Sequence, residues 1–531
     1  MKNSWDSPII PYVWLWVIII VLFSVGPLVL TRIASRDQEA KLEVDLLQVN
    51  DVYEIAGLNN GSVGGMARIA TLKKRLRREN SNVLLLLAGD FISPSVFNNV
   101  RPDSTAVAGK QMIDAMNAAG VDLVVFGNHE FDFSYNVLQQ RMDESHFQWV
   151  ASNVEHVTPA GPEPFQQLNK DIPASWTKTF TNGDGYSVTV GFLGLTISDN
   201  PGNPKYAVYT PTLEAARKMY KTLAGTCDAV IAVTHQNMAD DEMLADSLPE
   251  LTAIIGGHEH DGRFEKRGNV FITKADANAK TAYELKIVFE KNEKRPAVYP
   301  VLIHIDSSLT KDPLTAAVVE KWTNVAREYF KKQQINVDSP VCPGLTTWLD
   351  GRDQSVRFKP TNLSQIITDG MLWGTRQYHT QLALMNSGSI RVDDIIVPPV
   401  TEYSFVRALP YGGAIQVARF KGYFLTYVLD SASRLAGDGA FLQVSRNVHL
   451  DMATRRWEIG TTAIADSTVY TVAIADYLIK GLQKKLDFIK KGHPGVDSVF
   501  PGPSGSEIRS DIVKTTIASL RSNCPQLHTF K

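Results

Sequence analysis

Cysteine is scarce in this sequence. Only three occur among 531 residues, namely Cys227, Cys342 and Cys524, and no two of them form a Cys-x-x-Cys pair. This spacing excludes a disulfide-rich scaffold and disfavours a cysteine-ligated zinc site. A single disulfide is compatible with an oxidising compartment, but the sequence does not say which two cysteines would form it.

An excess of charge of one sign is also lacking. The chain has 54 Lys and Arg against 56 Asp and Glu, which gives a formal net charge of −2. No basic field for a nucleic-acid polymer is present, so we expect no such partner. The sequence shows no internal repeat, and its length predicts two or three domains. It does not indicate an oligomeric state.

Charge is absent altogether from one long segment. Residues 12–31, "YVWLWVIIIVLFSVGPLVLT", contain no charged side chain. Twenty such residues suffice to cross a bilayer as a helix, and we expect a single-pass anchor after a tail of residues 1–11. A cleaved signal peptide is the alternative, but "TRIASRD" is a poor cleavage site. The basic residues Arg32 and Arg36 weakly favour a cytoplasmic location for the chain beyond them.

Apolar runs that stop abruptly at polar residues dominate the next part of the chain. Such continuous runs are typical of strands covered on both faces, and the segments between them include helical patterns. We therefore predict an α/β domain over residues 42–308. The runs end in "QVND" at Asp51, "LAGD" at Asp90, "VVFGNH" at His129, "AVTH" at His235 and "IIGGHEH" at His260.

A long helical pattern separates this region from the rest. "DPLTAAVVEKWTNVAREYFKKQQ" begins with Asp312 as a candidate cap and with Pro313 at the first helical position. We predict a connector helix within residues 309–334. Residues 335–531 then read as a second α/β domain.

The polar ends of the five runs supply carboxylate, amide and imidazole groups. Because ligands bind at the carboxyl ends of strands in open α/β sheets, these side chains are expected to meet. Together they suit two divalent transition ions, which can clamp a phosphate and activate water. Alone, each motif is more typical of a turn or of a hydrogen-bonded core histidine. Their occurrence in order, each after an apolar run, favours the metal site.

These residues resemble a known family. "ND", "AGDF", "GNHEFD", "VTHQN" and "GGHEHD" are similar to motifs of the calcineurin-like metallophosphoesterases, and in particular of the 5′-nucleotidase group. "GRDQSVRFKPTNLSQIITDGM", "NSGSIR" and "GAFLQVS" resemble that group's second domain. The resemblance implies a four-layer metallophosphoesterase sandwich joined by a connector helix to a substrate-binding domain.

The resemblance also implies residue roles. Asp90 would bridge both metals, and His129 would stabilise the phosphoryl charge or protonate the leaving oxygen, held by Asp132. The remaining implied ligands are Asp51 and His260 for one ion and Asn128, His235 and His258 for the other. The metals would be Zn, Mn, Co or Mg, and the sequence does not choose among them. Phe131 is expected to turn inwards as packing.

Substrate contacts are implied for the second domain. Arg357, Asn386 and Arg391 fall at the family's substrate-binding positions, and guanidinium groups suit phosphate oxygens. Phe441 matches one of two rings that enclose the base. The alternatives are solvated surface charge for the arginines and plain core for Phe441.

Two departures from the family pattern stand out. Tyr53 occupies the usual histidine position of the first motif, and a neutral phenol is a poor metal ligand. The usual Gly-Gly-Asp-Gly-aromatic loop is replaced by "IADYLIKGLQKKLDFIKKG", in which Phe488 is a candidate for the second ring. Substrate preference therefore stays open.

The expected protein is a membrane-anchored two-metal phosphohydrolase acting on nucleoside 5′-monophosphates or related nucleotides. Alternatives are a nucleotide-sugar pyrophosphatase, a cyclic-nucleotide phosphodiesterase, and a nucleotide-binding surface protein with weakened catalysis. The family resemblance favours an extracellular or lumenal position for the catalytic domains over the weak charge bias near residue 32.

Overall fold

The computed structural model describes residues 41–59, 61–198, 204–501 and 510–524. The expected tail and anchor, residues 1–11 and 12–31, lie outside these ranges. Within them, no helix combines the length and the apolar character needed to cross a membrane.

Two six-stranded sheets form the first half of the described chain. The strand order in the first is Ala297–His304, Thr281–Glu290, Lys41–Val49, Val83–Ala88, Leu123–Val125 and Gln148–Val150. The order in the second is Arg263–Arg267, Val270–Lys274, Ala253–Gly257, Ala229–His235, Ser187–Thr196 and Ser175–Thr181. The four strands from Lys41–Val49 to Gln148–Val150 in the first sheet are parallel to one another, and so are the four strands from Val270–Lys274 to Ser187–Thr196 in the second, as the continuous apolar runs predicted. Thr281–Glu290 is antiparallel to Lys41–Val49.

The two sheets pack face to face and are covered by helices outside. One core cluster joins Leu46 and Leu86 of the first sheet to Ile231 and Ile255 of the second. Other clusters bury the outer faces beneath Met66–Glu79, Lys110–Ala119 and Tyr135–Glu144 on one side and beneath Thr212–Leu223 and Met238–Ser247 on the other. The result is the expected four-layer α/β sandwich.

The long helix predicted near residue 312 spans Pro313–Lys332. The Asp312 side chain caps it by accepting from the backbone N–H of Thr315 at 3.1 Å. Its buried face includes Trp322 and Phe330, which belong to the core cluster shared with the first-domain helices. The helix is therefore packed on the first domain.

A five-stranded sheet organises the second domain. Its strand order is Leu442–Val444, Leu382–Asn386, Val469–Ala475, Ile415–Lys421 and Val496–Pro501. A three-stranded sheet joins Val448–Asp451, Arg456–Ile459 and Thr462–Ala463. The helices are Asp353–Val356, Asn362–Gly374, Glu402–Ala408, Gly422–Ser433, Asp476–Ile479 and Ser510–Asn523.

A disulfide closes this domain. Cys342 and Cys524 are bonded across 182 residues, whereas Cys227 is a free thiol. Cys342 is buried in the core and Cys524 follows the last described helix. The bond therefore links the beginning of the second domain to its end, a pairing that the sequence had left open.

Candidate active site between the two domains

Parallel strands of both sheets end at one place. Lys41–Val49, Val83–Ala88 and Leu123–Val125 are neighbours in the first sheet, and Ala229–His235 and Ala253–Gly257 are neighbours in the second. The ends of these strands and the loops that follow them carry all six predicted metal ligands, and the backbone adopts unusual conformations there. Left-handed φ angles occur at Asp51 (51°), Asp90 (57°) and His258 (85°). Such conformations cost about 1–3 kcal/mol each and are concentrated at functional sites.

Glycines beside these ligands let the strand ends approach each other. A Cβ added to Gly127 would lie 2.1 Å from Oδ1 of Asp90, and one added to Gly257 would lie 2.3 Å from the carbonyl oxygen of Ala88. Both distances are far below contact. Glycine in "FGN" and "GGH" is thus required by close packing around the ligands.

Three of the predicted ligands form a buried cluster. Asp51, Asp90 and His235 offer ligand atoms that all lie within 4.8 Å of one another. Nδ1 of His235 donates to the Ala88 carbonyl at 2.8 Å, since a carbonyl can only accept. Its Nε2 then faces Oδ2 of Asp90 at 3.2 Å without a hydrogen-bond partner. A buried imidazole nitrogen and carboxylate oxygens that converge in this way fit a metal ion.

The electrostatics of the cluster support this fit. Burial opposes ionisation of Asp90, but His235 and His129 outweigh it and hold the pKa of Asp90 far below its usual range. Burial likewise opposes the charged form of His235, yet Asp90 and Asp51 raise its pKa to about 10. Without metal, a proton takes the place of the missing positive charge. Metal binding would release that proton.

Tyr53 lies inside the cluster. Its hydroxyl is 3.0 Å from Nε2 of His260, 3.2 Å from Oδ2 of Asp90 and 3.3 Å from Oδ1 of Asp51. Burial and the nearby carboxylates raise the pKa of Tyr53 well above its ordinary value. The side chain is therefore a neutral phenol among the predicted ligands.

His258 and Asn128 complete the predicted ligand set. The His258 ring packs edge-on against that of His235 at 5.2 Å, and its backbone N–H donates to Asp51 at 2.9 Å. Burial keeps the pKa of His258 well below its usual value, so the imidazole is neutral, as ligation requires. Asn128 is buried directly before the 3-10 helix His129–Asp132.

The predicted pair of His129 and Asp132 is in contact. Nδ1 of His129 lies 2.9 Å from Oδ2 of Asp132, which also accepts from the Ser93 hydroxyl at 2.7 Å. Burial works against a charged imidazole, but Asp132 and Asp90 raise the pKa of His129. Phe131 turns inwards, as expected, and is 2% exposed.

The second domain reaches this cluster. Nη2 of Arg391 lies 3.1 Å from Nε2 of His129, and its guanidinium is 5.7 Å from the centre of the Tyr53 ring. A predicted substrate residue of one domain and a predicted catalytic residue of the other are thus neighbours.

Three of the other predicted substrate residues lie on adjoining loops. The N–H of Ser387, next to Asn386, donates to the Phe441 carbonyl at 2.8 Å, and the N–H of Gly437 donates to the Arg357 carbonyl at 2.8 Å. Among the ring contacts of the described residues, none links Phe488 to Phe441. The Phe488 ring packs against Tyr427 at 5.1 Å and Phe424 at 6.2 Å.

Glu130 is a site residue that the sequence pattern did not single out. Its buried carboxylate accepts from the backbone N–H groups of Asp90 (2.9 Å), Phe91 (2.8 Å), Ile92 (3.3 Å) and Gly127 (2.6 Å). Burial, reinforced by Asp90, raises its pKa to about 7. Glu130 thereby links the loop that carries Asp90 to the loop that carries Asn128. Its place inside "GNHEFD" was the only available signal.

Two family profiles match the chain. The calcineurin-like phosphoesterase profile matches residues 45–262, and that of the 5′-nucleotidase C-terminal domain matches residues 342–489. The chain belongs to the 5′-nucleotidase family. It is accordingly a metallophosphoesterase, a hydrolase of a family that uses divalent metals.

Relatives match most of the chain. The 5′-nucleotidase of Bos taurus is 27% identical over 455 residues, with 76% of this chain and 74% of the relative covered. The snake venom 5′-nucleotidase of Naja atra is 24% identical, with 76% and 80% covered. Among solved structures, the 5′-nucleotidase precursor of Thermus thermophilus superposes with a TM-score of 0.71 at 22% identity, covering 91% of this chain and 96% of that one. This last likeness concerns the fold.

Proposed function

We propose that this protein releases phosphate from nucleoside 5′-monophosphates or related nucleotides with the help of two divalent ions. The observation that carries the proposal is the meeting of two sets of side chains. A buried carboxylate and imidazole cluster on the first domain faces Arg391 of the second domain across His129. The relatives named 5′-nucleotidase support nucleotides as the substrate class.

The proposed ligands for one ion are Asp51 and His260, those for the other are Asn128, His235 and His258, and Asp90 serves both. When bound, the two ions would lower the pKa of a water molecule and neutralise the phosphate charge. The protein contributes the orientation of these groups. His235 is fixed by the Ala88 carbonyl, and Asp90 is fixed by the His129 N–H at 2.8 Å.

His129 is the proposed general acid or transition-state stabiliser. Its contact with Asp132 sets the tautomer in which Nδ1 carries a proton. The opposite nitrogen, Nε2, is directed towards Arg391 and is free to serve a leaving oxygen once substrate displaces that arginine. Asp132 is the residue that orients it.

Arg357, Asn386, Arg391 and Phe441 are proposed to bind substrate. The two arginines suit the phosphate, and Phe441 suits the base by stacking. The packing of Phe488 on Tyr427 and Phe424 does not favour the stacking role expected of it.

We propose three units after the anchor: a metallophosphoesterase domain over 42–308, a connector helix within 309–334 and a substrate-binding domain over 335–531. We also propose that a rotation between the two domains opens and closes the site. The contact between Arg391 and His129 supports a closed arrangement in this structure. Substrate entry would require the contact between Arg391 and His129 to break.

Tyr53 is proposed to act through its hydrogen-bonding hydroxyl and to leave one ion with one fewer protein ligand. The raised pKa of the phenol supports this role over direct ligation as a phenolate, since ligation would require its proton to leave. One ion would then bind more weakly than the other.

We propose a single-pass anchor over residues 12–31 and catalytic domains on the extracellular or lumenal side. The disulfide between Cys342 and Cys524 supports an oxidising compartment, since such bonds are rare in the cytosol. Protease accessibility on sealed vesicles tests this topology. Protection equal to that of a cytosolic marker would reverse it.

The experiment for the function is a phosphate-release screen with Mn, Co, Zn or Mg and without metal. Substrates are nucleoside monophosphates, nucleotide sugars and cyclic nucleotides. We expect metal-dependent release from the monophosphates. Preference for sugar or cyclic nucleotides would favour a pyrophosphatase or phosphodiesterase, and nucleotide binding without release would favour a weakened enzyme.

A further inference from the structure

A carboxylate of the second domain touches the candidate metal centre of the first. Asp353 begins the short helix Asp353–Val356 and is 8% exposed. Its Oδ2 lies 2.6 Å from Nδ1 of His260. The opposite ring nitrogen of His260, Nε2, faces the Tyr53 hydroxyl at 3.0 Å and Oδ1 of Asp51 at 3.6 Å. Nε2 of His260 thus points into the candidate metal centre, while Nδ1 contacts Asp353.

This arrangement resembles the usual environment of a metal-ligating histidine, whose second nitrogen meets a carboxylate or a carbonyl. His235 obtains such a partner, the Ala88 carbonyl, from its own domain. His260 obtains it from the other domain. His235 and His260 therefore differ in which domain supplies the partner of their second ring nitrogen. Of the two, only His260 depends on how the domains are placed.

The contact belongs to a group of charged residues between the domains. The backbone N–H of Asp353 donates to Oδ1 of Asp393 at 3.0 Å, and Oδ2 of Asp393 accepts from the first-domain Lys280 ammonium at 2.7 Å. Oδ2 of Asp353 also accepts from the Arg357 guanidinium at 2.8 Å. The Asp353 carboxylate therefore contacts a candidate metal ligand and a candidate phosphate-binding arginine, while its backbone N–H contacts an ion pair between the domains.

We infer that Asp353 is a positioning residue that orients His260 from the second domain and makes metal retention at that site depend on the closed domain arrangement. The inference rests on the proposed two-metal function. Coupling of this kind is reciprocal, so metal bound through His260 would in turn favour closure. Arg357 links the same carboxylate to the substrate side of the cleft.

The test measures Mn²⁺ binding by titration calorimetry on metal-stripped protein, without substrate. Asp353→Asn keeps the shape of the side chain and removes its charge. We expect one Mn²⁺ site to weaken about 10–100-fold, the range seen when such a partner is lost, while the other site and the Tm stay near those of the natural protein. Asp350→Asn is the matched control, because the Asp350 carboxylate pairs with Arg352.

Lys280→Met supplies a second variant that leaves Asp353 and His260 intact. This substitution breaks the neighbouring interdomain ion pair between Lys280 and Asp393. We expect the same Mn²⁺ site to weaken, by less than in Asp353→Asn. Should Asp353→Asn fail to fold, unchanged Mn²⁺ affinities in Lys280→Met overturn the inference.

The outcomes separate this inference from the function on which it rests. Two unchanged Mn²⁺ affinities in folded Asp353→Asn overturn the role of Asp353 alone. Equal weakening at both sites also overturns it, because a general loss of structure is not the orientation of one ligand. Natural protein that binds no Mn²⁺ and releases no phosphate overturns both proposals.

Discussion

Nη2 of Arg391 lies 3.1 Å from Nε2 of His129, although 262 residues separate the two in the chain. With the Nδ1 proton of His129 directed to Asp132, Nε2 accepts from the guanidinium. This is the atom proposed to serve the leaving oxygen. A second-domain arginine therefore contacts the proposed catalytic nitrogen of the first domain in this arrangement.

Arg391→Ala is expected to raise the KM for nucleotides about 10–100-fold with a smaller change in kcat. Hydrogen bonds to charged groups contribute about 1.5–3 kcal/mol, and their uniform loss appears in KM. Steady-state kinetics measure this. Arg419→Ala is the control, since Arg419 forms a half-exposed pair with Asp497 in the same domain. An unchanged KM would assign Arg391 to surface charge.

His129→Asn is expected to lower kcat by about 10²–10⁴-fold, the range for a positioned acid or base. Bound metal, measured by mass spectrometry, is expected to stay unchanged, because the candidate ligands surround His129 without including it. His449→Asn, at a half-exposed site in the second domain, is the control. Loss of one metal ion in His129→Asn would identify it as a ligand.

Tyr53→His is expected to lower the metal concentration needed for half-maximal activity, because an imidazole replaces a phenol that must lose a proton to ligate. Tyr53→Phe is the matched control, which removes the hydroxyl without adding a ligand and should not improve metal use. Metal titrations of activity and of binding measure both. Equal, tight occupancy of both sites in the natural protein, unaltered by Tyr53→His, would contradict this account.

Glu130→Gln is expected to lower the Tm and weaken metal binding. The amide nitrogen that replaces one carboxylate oxygen cannot accept, so two backbone N–H groups lose their acceptor, at about 1–3 kcal/mol each. Calorimetry at pH 8 measures this, since a carboxyl with a pKa of about 7 is ionised there. Glu293→Gln, in an exposed turn, is the control. A Tm equal to that of the natural protein would contradict the role of Glu130.

Much of the first domain could be predicted because its sequence signals are local. Runs such as Val83–Ala88 are apolar throughout and are buried on both faces. The polar residues after them mark the carboxyl ends where ligands collect. The connector helix was recognisable from Asp312 and Pro313, because capping depends on neighbouring residues.

What could not be predicted depends on contacts between distant parts of the chain. Nothing near Asp353 indicates that it meets His260 of the other domain. Glu130 could not be distinguished from a surface acid, because its four partners are backbone N–H groups brought together only by folding. The stacking role expected of Phe488 stays a prediction, and its ring contacts with Phe424 and Tyr427, which lie outside the motif, could not be read from the sequence.

The two-metal site is tested most directly through Asp90, the proposed shared ligand. Metal content and phosphate release are measured on the same preparations of the natural protein, of Asp90→Asn and of the exposed-turn control Asp184→Asn. We expect two divalent ions per chain and metal-dependent release from nucleotides in the natural protein and the control. In Asp90→Asn we expect metal content to fall, and phosphate release to fall by far more than the ~10–100-fold typical of residues that only support a ligand. Near-normal turnover with full metal content in Asp90→Asn would contradict the two-metal assignment.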